Sequence, residues 1–158
     1  MEQHCEELNR FLVEVFHDIL KTEELALSSE RKELSLRELH LIEEVCRAAD
    51  QGLDNRATAI AAAQRVTAGT LTTAVSLLER KGYLIRRRDE HDKRVVRILP
   101  TEKARCANRA HERFHEEMVE NLLSFLTQEE ARIFVRALGQ VSLFFREKMF
   151  SSYAGAEA

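Results

Sequence analysis

The sequence predicts a mainly α-helical domain that carries one small β-hairpin. The chain of 158 residues contains one proline and five glycines, so few residues break helices. Apolar residues recur at helical spacing over most of the chain, whereas strand-like segments occur only between residues 83 and 99. A hydrophobic fraction of 44% with 32% charged residues is typical of a globular domain with its own core.

Composition also excludes several classes of protein. No apolar run is long enough to cross a bilayer, and the N-terminal residues lack the basic and apolar segments of a signal peptide. We therefore expect a cytoplasmic protein without a membrane partner. The three dispersed cysteines argue against a disulfide framework and match no paired zinc motif. Cys5 lies in a polar stretch and is the candidate for a redox-sensing thiol, although no basic cluster flanks it.

The chain begins with two predicted amphipathic helices. The first has an apolar stripe at helical spacing, formed by Leu8, Leu12, Val15 and Ile19. Polar residues 28–33 are expected to interrupt this pattern. A capping box at residues 35–38 then opens a second helix, which ends in a loop at residues 50–54.

Two shorter helices and a hairpin follow. The helices are predicted at residues 57–64 and 68–81, and Gly82 is a typical residue to end the second. The patterning then changes to that of a hairpin, with strands at residues 83–88 and 94–99 joined by a polar turn. Pro100 is expected to close the second strand.

The C-terminal third is predicted to form two long helices. Thr101 caps the first, and a capping box at residues 127–130 opens the second. The terminal helices carry more large apolar side chains than one small domain can bury, namely Phe11, Phe16, Leu123, Phe125, Phe144, Phe145, Met149 and Phe150. Packing against a second copy of the chain would bury them, so we expect a homodimer.

Charge is distributed unevenly along the chain. Residues 56–88 contain seven basic residues and one acid, Glu79, which gives a net charge of +6. Because the whole chain has a net charge of −3, the remainder has −9. A basic segment on an acidic body is typical of a surface that binds phosphate groups, although a solvated charged face gives the same count.

The order of helix, short turn, helix and basic hairpin is that of a winged helix-turn-helix, which binds double-stranded DNA. The first half of the predicted helix at residues 68–81 contains threonine, valine and glycine, which are poor helix formers but suit close approach to the major groove. Thr67 is expected to cap it. The predicted DNA contacts are Thr67, Ala68, Gly69, Thr70, Thr72, Thr73, Ser76, Arg80, Arg88, Asp92, Lys93 and Arg94.

The tip of the hairpin adds a second predicted contact. An arginine at this position, Arg94, can enter a narrow minor groove of A·T-rich DNA. Asp92 stands two residues earlier and is expected to hold the arginine through a charge-assisted hydrogen bond. An ordinary solvated turn would have the same composition.

Four segments together resemble the signature of the MarR family: TLT at 70–72, LERKGYL at 78–84, RR at 86–87 and DKR at 92–94. The resemblance implies one domain over residues 1–158 that forms an intertwined homodimer. Residues 1–33 and 101–150 would supply the dimerisation helices, and residues 34–100 the winged helix-turn-helix. Gln64 and Ala104 depart from the family pattern, which usually has an apolar residue and a glycine there.

A closer resemblance is to the FabT-like repressors of fatty acid biosynthesis within this family. It rests on LSLRELH (34–40), GTLTT (69–73), LERKGY (78–83), RVV (94–96) and HERFHEEMVE (111–120). The resemblance implies a repressor that binds A·T-rich palindromes more tightly with long-chain acyl-acyl carrier protein. Residues that can line an effector pocket, or simply belong to the core, are Phe11, Phe16, Leu39, His40, Phe114 and Met118.

A metal-sensing reading uses three histidines. His40, His111 and His115 stand where zinc-sensing members of the same family have ligands, and Glu23 or Glu24 can supply a fourth. The alternative is a polar pocket in which the histidines bond neighbouring carboxylates. We expect no required cofactor and keep a zinc-responsive repressor as the second hypothesis.

Residues 111–115 also match His-Glu-x-x-His, the signature of zinc metalloproteases. That chemistry needs a third ligand and a cleft, yet no histidine follows His115 and the motif lies on a predicted dimerisation helix. The sequence has neither a glycine-rich phosphate loop nor a nucleophile elbow. We therefore expect no enzyme, and a protein-interaction module without DNA binding is the other class left open.

Overall fold

A computed structural model describes the backbone of residues 2–30 and 33–154 and the side chains of residues 4–25 and 33–148. Six helices and two strands follow in the order α1 (Glu2–Glu30), α2 (Leu36–Asp50), α3 (Ala57–Ala63), α4 (Ala68–Arg80), β1 (Leu84–Arg88), β2 (Val96–Pro100), α5 (Glu102–Ser124) and α6 (Gln128–Ala154). The mainly helical fold with one hairpin is confirmed. None of the described helices combines the length and apolar character needed to cross a membrane.

The chain divides into two compact units, Met1–Glu112 and Arg113–Ala158. The first unit contains the hydrophobic core. Its fully buried side chains come from α2, α3, α4 and the hairpin, and the largest are Tyr83, Ile42, Ile60, Leu78, Leu84 and Ile98. The start of α5 also belongs to this unit, because Ala104 and Ala107 are buried in the same core.

Local capping chemistry sets where the helices begin. At α2, the Ser35 hydroxyl accepts from the Glu38 N–H, and the Glu38 carboxylate accepts from the Ser35 N–H at 2.8 Å. Helix α6 begins with the same reciprocal arrangement between Thr127 and Glu130. Both predicted capping boxes are therefore confirmed. The interruption predicted at residues 28–33 is wrong for residues 28–30, which continue α1, while residues 31–32 lie outside the described part.

The end of α4 explains why β1 begins one residue later than predicted. Gly82 has a φ of +78°, and its N–H donates to the Glu79 carbonyl. The Tyr83 N–H donates back to the Leu78 carbonyl at 2.8 Å. These two bonds form the motif that commonly ends helices at glycine. Tyr83 therefore belongs to the helix end, and pairing in the hairpin starts at Leu84.

The hairpin is antiparallel, with Leu84 opposite Pro100 and Arg88 opposite Val96. The second strand was predicted to begin at residue 94, but β2 begins at Val96, because the Val95 N–H still donates to the Asp92 carbonyl within the turn. Strand β2 also includes Pro100, which was expected to lie just beyond its end.

The second unit contains the rest of α5 and α6. Most of its large apolar side chains are exposed, including Leu123, Phe125, Phe144 and Phe145. In the first unit, Phe11 and Phe16 on α1 are likewise 56% and 61% exposed. The surplus of apolar surface predicted from the sequence is thus present for these six residues, whereas the side chains of Met149 and Phe150 lie outside the described part.

Candidate nucleic-acid interface

Helices α3 and α4 form the helix-turn-helix. The turn between them includes Arg65 in the left-handed region, with a φ of +54°. Gln64, a departure from the family pattern, donates from its side-chain amide to the His40 carbonyl at 3.1 Å and so ties the turn to α2. Thr67 caps α4, as predicted: its hydroxyl accepts from the Thr70 N–H at 3.2 Å.

Helix α4 has one buried and one exposed face. Leu71, Val75 and Leu78 are buried in the core. The opposite face carries the residues predicted to contact DNA, of which Thr67, Ala68, Gly69, Thr70, Thr72, Thr73 and Arg80 are exposed and Ser76 is half-buried. The fold therefore gathers these residues on one surface of small side chains.

Hydroxyl groups on this face bond to their own helix. The Thr72 hydroxyl donates to the Ala68 carbonyl at 2.8 Å, and that of Thr73 donates to the Gly69 carbonyl at 3.2 Å. Such bonds to the carbonyl four residues earlier let threonine stand within a helix. They direct each hydroxyl proton inward, so the oxygen lone pairs are what remains for an outside donor.

An arginine from β1 reaches across to α4. Arg86 donates through Nη2 to the Thr72 carbonyl at 2.8 Å and to the Ser76 hydroxyl at 3.0 Å. Its Nη1 lies 2.7 Å from Glu79 Oε2, and its backbone N–H donates to Glu79 Oε1 at 2.8 Å. The sequence analysis counted Arg86 and Glu79 as charges and as part of the family signature, but it did not pair them. No sequence signal specified their pairing, which depends on how β1 folds back along α4.

The turn that joins β1 to β2 in the hairpin, which is the wing of this fold, is built around Asp89. The sequence analysis did not single out this residue. Its carboxylate accepts from the N–H groups of His91, at 2.9 Å, and Asp92, at 3.2 Å, and from Arg97 Nε at 2.5 Å. These hydrogen bonds, the one from His91 above all, hold the pKa of Asp89 well below its ordinary value. Arg97 also bonds Asn55 Oδ1 at 2.8 Å, which fixes the wing to the segment before α3.

Asp92 bonds a different part of Arg94 from the one predicted. Its carboxylate accepts from the Arg94 backbone N–H at 3.0 Å. In the described part of the chain, the Arg94 guanidinium forms no ion pair with Asp92. Asp92 therefore shapes the turn that carries Arg94 and leaves the Arg94 guanidinium exposed. With only one residue between them in the chain, the Arg94 backbone N–H is a nearer donor to the Asp92 carboxylate than the guanidinium is.

Ion pairing reduces the positive charge predicted for this surface. Three of the basic residues counted in the sequence have acidic partners, in the pairs Arg56–Asp54, Lys81–Glu38 and Arg86–Glu79. Four predicted contacts are exposed and form no ion pair with any described side chain: Arg80, Arg88, Lys93 and Arg94. These four are the predicted cationic contacts that the structure leaves available to phosphate.

A separate cluster lies between α1, α2 and the start of α5. The His40 and His111 rings are 5.5 Å apart, and His111 is only 6% exposed. His111 Nε2 lies 3.6 Å from the Glu43 carboxylate, and His40 Nε2 lies 3.7 Å from that of Glu23. One ligand atom each from His40, Glu43 and His111 falls within 4.8 Å of the others.

The structure places His40 beside His111 and adds Glu43, which the sequence analysis missed. Glu43 follows His40 by three residues on α2, a spacing that places both on one face and is common in helices that bind no metal. Glu24 pairs instead with Lys21 at 3.3 Å. His115 belongs to the second unit, where its ring lies 5.4 Å from that of Phe114.

The other predicted residues are placed as follows. Leu39 is buried in the core, while Phe11 and Phe16 are exposed, so these three enclose no tunnel in the single chain. Phe114 and Met118 are half-buried in the second unit. Cys5 is exposed.

Comparison with known proteins gives consistent matches. A model described as MarR family matches residues 33–95. The structure of Streptococcus pneumoniae FabT in complex with DNA is 34% identical over 90% of this chain and 97% of that chain, with a TM-score of 0.80. The Staphylococcus aureus MepR–DNA complex shares the fold at 21% identity, over 87% of this chain and 97% of that one, with a TM-score of 0.69. Among curated proteins, none matches. The chain belongs to the MarR family and is a DNA-binding transcriptional regulator, not an enzyme.

Proposed function

We propose that this regulator is a homodimeric repressor of fatty acid biosynthesis genes that binds A·T-rich palindromes. The observation that carries the proposal is the 34% identity to FabT in complex with DNA, over nearly the whole chain. The exposed face of α4 and the four unpaired cations beside it supply a matching surface. Such a protein acts where promoter DNA is, in the bacterial cytoplasm.

The dimer rests on exposed apolar side chains in both units. Phe125 is 78% exposed, Phe145 57% and Phe16 61%. Soluble proteins rarely leave so many large apolar groups in water, and a symmetric dimer would cover the same patch on each copy. We assign dimerisation to residues 1–33 and 101–150, and DNA binding to residues 34–100. Two α4 helices would then enter successive major grooves about ten base pairs apart.

We further propose that long-chain acyl-acyl carrier protein strengthens DNA binding. An effector that engages the terminal helices of both protomers can set the distance between the two α4 helices of the dimer. Because both half-sites must be engaged together, a change in that distance alters affinity without any new DNA contact. Phe114 and Met118 are half-buried in the second unit and are our candidates for residues that contact the acyl chain.

The test is fluorescence anisotropy with a labelled A·T-rich palindrome taken from upstream of fatty acid synthesis genes, after metal chelation. The titration is repeated with long-chain acyl-acyl carrier protein and with the unacylated carrier as control. Tighter binding with the acylated carrier alone supports the proposal. Equal affinity for the palindrome and a scrambled duplex contradicts sequence-specific repression, and equal affinity with both carriers contradicts the effector.

A zinc-responsive repressor is the second candidate, and the His40–Glu43–His111 cluster favours it. Two imidazoles and a carboxylate are a donor set that zinc accepts, and the Glu23 carboxylate lies beside His40. Titration against a chromophoric zinc chelator tests binding directly. Zinc that binds the wild type and the control His91→Gln, but not His111→Asn, and that tightens DNA binding would support this candidate over the lipid effector.

A further inference from the structure

Arg86 and Glu79 link the wing, which is the β1–β2 hairpin, to helix α4, the predicted recognition helix that would enter the major groove. Arg86 lies on β1, and its guanidinium contacts the Thr72 carbonyl, the Ser76 hydroxyl and the Glu79 carboxylate on α4. The Glu79 carboxylate accepts a second bond from the Arg86 backbone N–H. The side chains of Arg86 and Glu79 are only 31% and 29% exposed.

The strand pattern separates Arg86 from its neighbour Arg87. Arg86 stands opposite Ile98, which is buried, and Arg87 stands opposite Arg97. Because residues that pair across a sheet share a face, Arg86 is on the side of the core and α4, and Arg87 is on the other side. The two arginines have the same charge and adjacent positions but different surroundings.

The bonds of Arg86 are already satisfied within the protein. Its planar fork of donors matches a carbonyl, a hydroxyl and a carboxylate that belong to one helix. A phosphate contact would require breaking the pair with Glu79. Arg86 is therefore suited to set the angle between β1 and α4, which fixes where the wing meets DNA when α4 is in the major groove.

We infer that Arg86 and Glu79 are positioning residues for DNA binding: they hold the wing on the recognition helix and contact no phosphate. The inference rests on the proposed DNA-binding face. For Glu79, it predicts that removing the negative charge weakens DNA binding, the opposite of what net charge alone predicts. If only net charge mattered, removing an acid beside DNA would tighten binding, whereas loss of a positioning contact weakens it.

The experiment measures the affinity of each full-length variant for the A·T-rich duplex over a series of KCl concentrations. Arg86→Gln is compared with Arg87→Gln, and Glu79→Gln with Glu90→Gln, which removes an exposed acid from the wing. We expect Arg86→Gln and Glu79→Gln each to weaken binding at least tenfold and to keep the slope of log affinity against log salt. Arg86→Lys keeps the charge without the fork and should also weaken binding.

Hydrogen exchange of the wing amides without DNA gives an independent readout. Exchange should be faster in Arg86→Gln and Glu79→Gln than in the two controls, while thermal unfolding and dimer formation stay close to wild type. Tighter binding by Glu79→Gln, wild-type affinity of Arg86→Lys, or a reduced salt slope for Arg86→Gln would each overturn the inference. If the wild type itself shows no salt-dependent binding to the duplex, the proposed DNA-binding face fails instead.

Discussion

The salt dependence of DNA binding can be calculated from the predicted cationic contacts that the structure leaves unpaired. Each protomer offers four on the predicted interface: Arg80, Arg88, Lys93 and Arg94. A dimer therefore brings eight, and each phosphate contact contributes about 0.9 to the slope of log affinity against log salt. The expected slope is about −7, so a fourfold rise in salt should weaken binding by roughly 10⁴-fold.

Arg88→Gln removes one such contact from each protomer and should reduce the slope by about 1.8. The matched control is Arg56→Gln, because Arg56 is also an exposed arginine of the basic segment but pairs with Asp54 at 2.5 Å. The control should leave the slope close to the wild-type value. Both are measured by anisotropy at constant pH, with the dimer verified by sedimentation.

Three results would refute this reasoning. A wild-type slope of about −3.5 would mean that only one protomer engages phosphate. A slope much steeper than −7 would mean that cations outside these four, such as the exposed Arg87 or the paired Arg86, also contact phosphate. Equal reductions for Arg56→Gln and Arg88→Gln would show that the ion pairs of the free protein do not decide which cations bind.

Three further predictions concern the core, the wing and the thiols. Leu78→Ala should cost about 2–5 kcal/mol of unfolding free energy in urea titration, because Leu78 is fully buried, and a cost below about 1 kcal/mol would contradict its place in the core. Because the His91 N–H and Arg97 lower the pKa of Asp89, its contribution to wing stability is present above its ordinary value of 3.8 and lost as pH falls further. The protection of the wing amides, taken relative to the intrinsic exchange rate at each pH, should therefore fall as pH drops below 3.8, and Asp89→Asn should lower it at neutral pH. Burial raises the pKa of Cys46 to about 11, so a thiol reagent should modify it only after unfolding, in contrast to the two exposed cysteines.

Helix boundaries that depend on local chemistry could be predicted from the sequence. The capping boxes at Ser35 and Thr127 and the glycine at residue 82 specify hydrogen bonds within a few residues, and the structure contains them. The start of β1 was misplaced by one residue for the same local reason, since the Tyr83 N–H completes the end of α4. The family resemblance added the fold, which local signals alone do not determine.

Contacts between distant residues could not be predicted. The charge count treated Arg56, Lys81 and Arg86 as part of one basic surface, yet each has an acidic partner. The partner of Lys81 is 43 residues away in sequence, and only the packing of α2 against the end of α4 brings the two together. The DNA contacts themselves stay predictions.

Helix α4 carries weak helix formers on its exposed face, while Leu71, Val75 and Leu78 on the opposite face are buried in the core. One weak helix former is Gly69, where a Cβ atom would have Thr67 Oγ1 as its nearest neighbour, at 3.9 Å. Gly69→Ala should therefore fit and stabilise the helix by about 0.5–1 kcal/mol. If α4 approaches the groove as closely as its small side chains suggest, the added methyl group should weaken DNA binding. Ala63→Gly on α3 is the control for helix stability, because it makes the opposite substitution in a neighbouring helix. A variant that is more stable and binds DNA as the wild type does would show that close approach at Gly69 is not required.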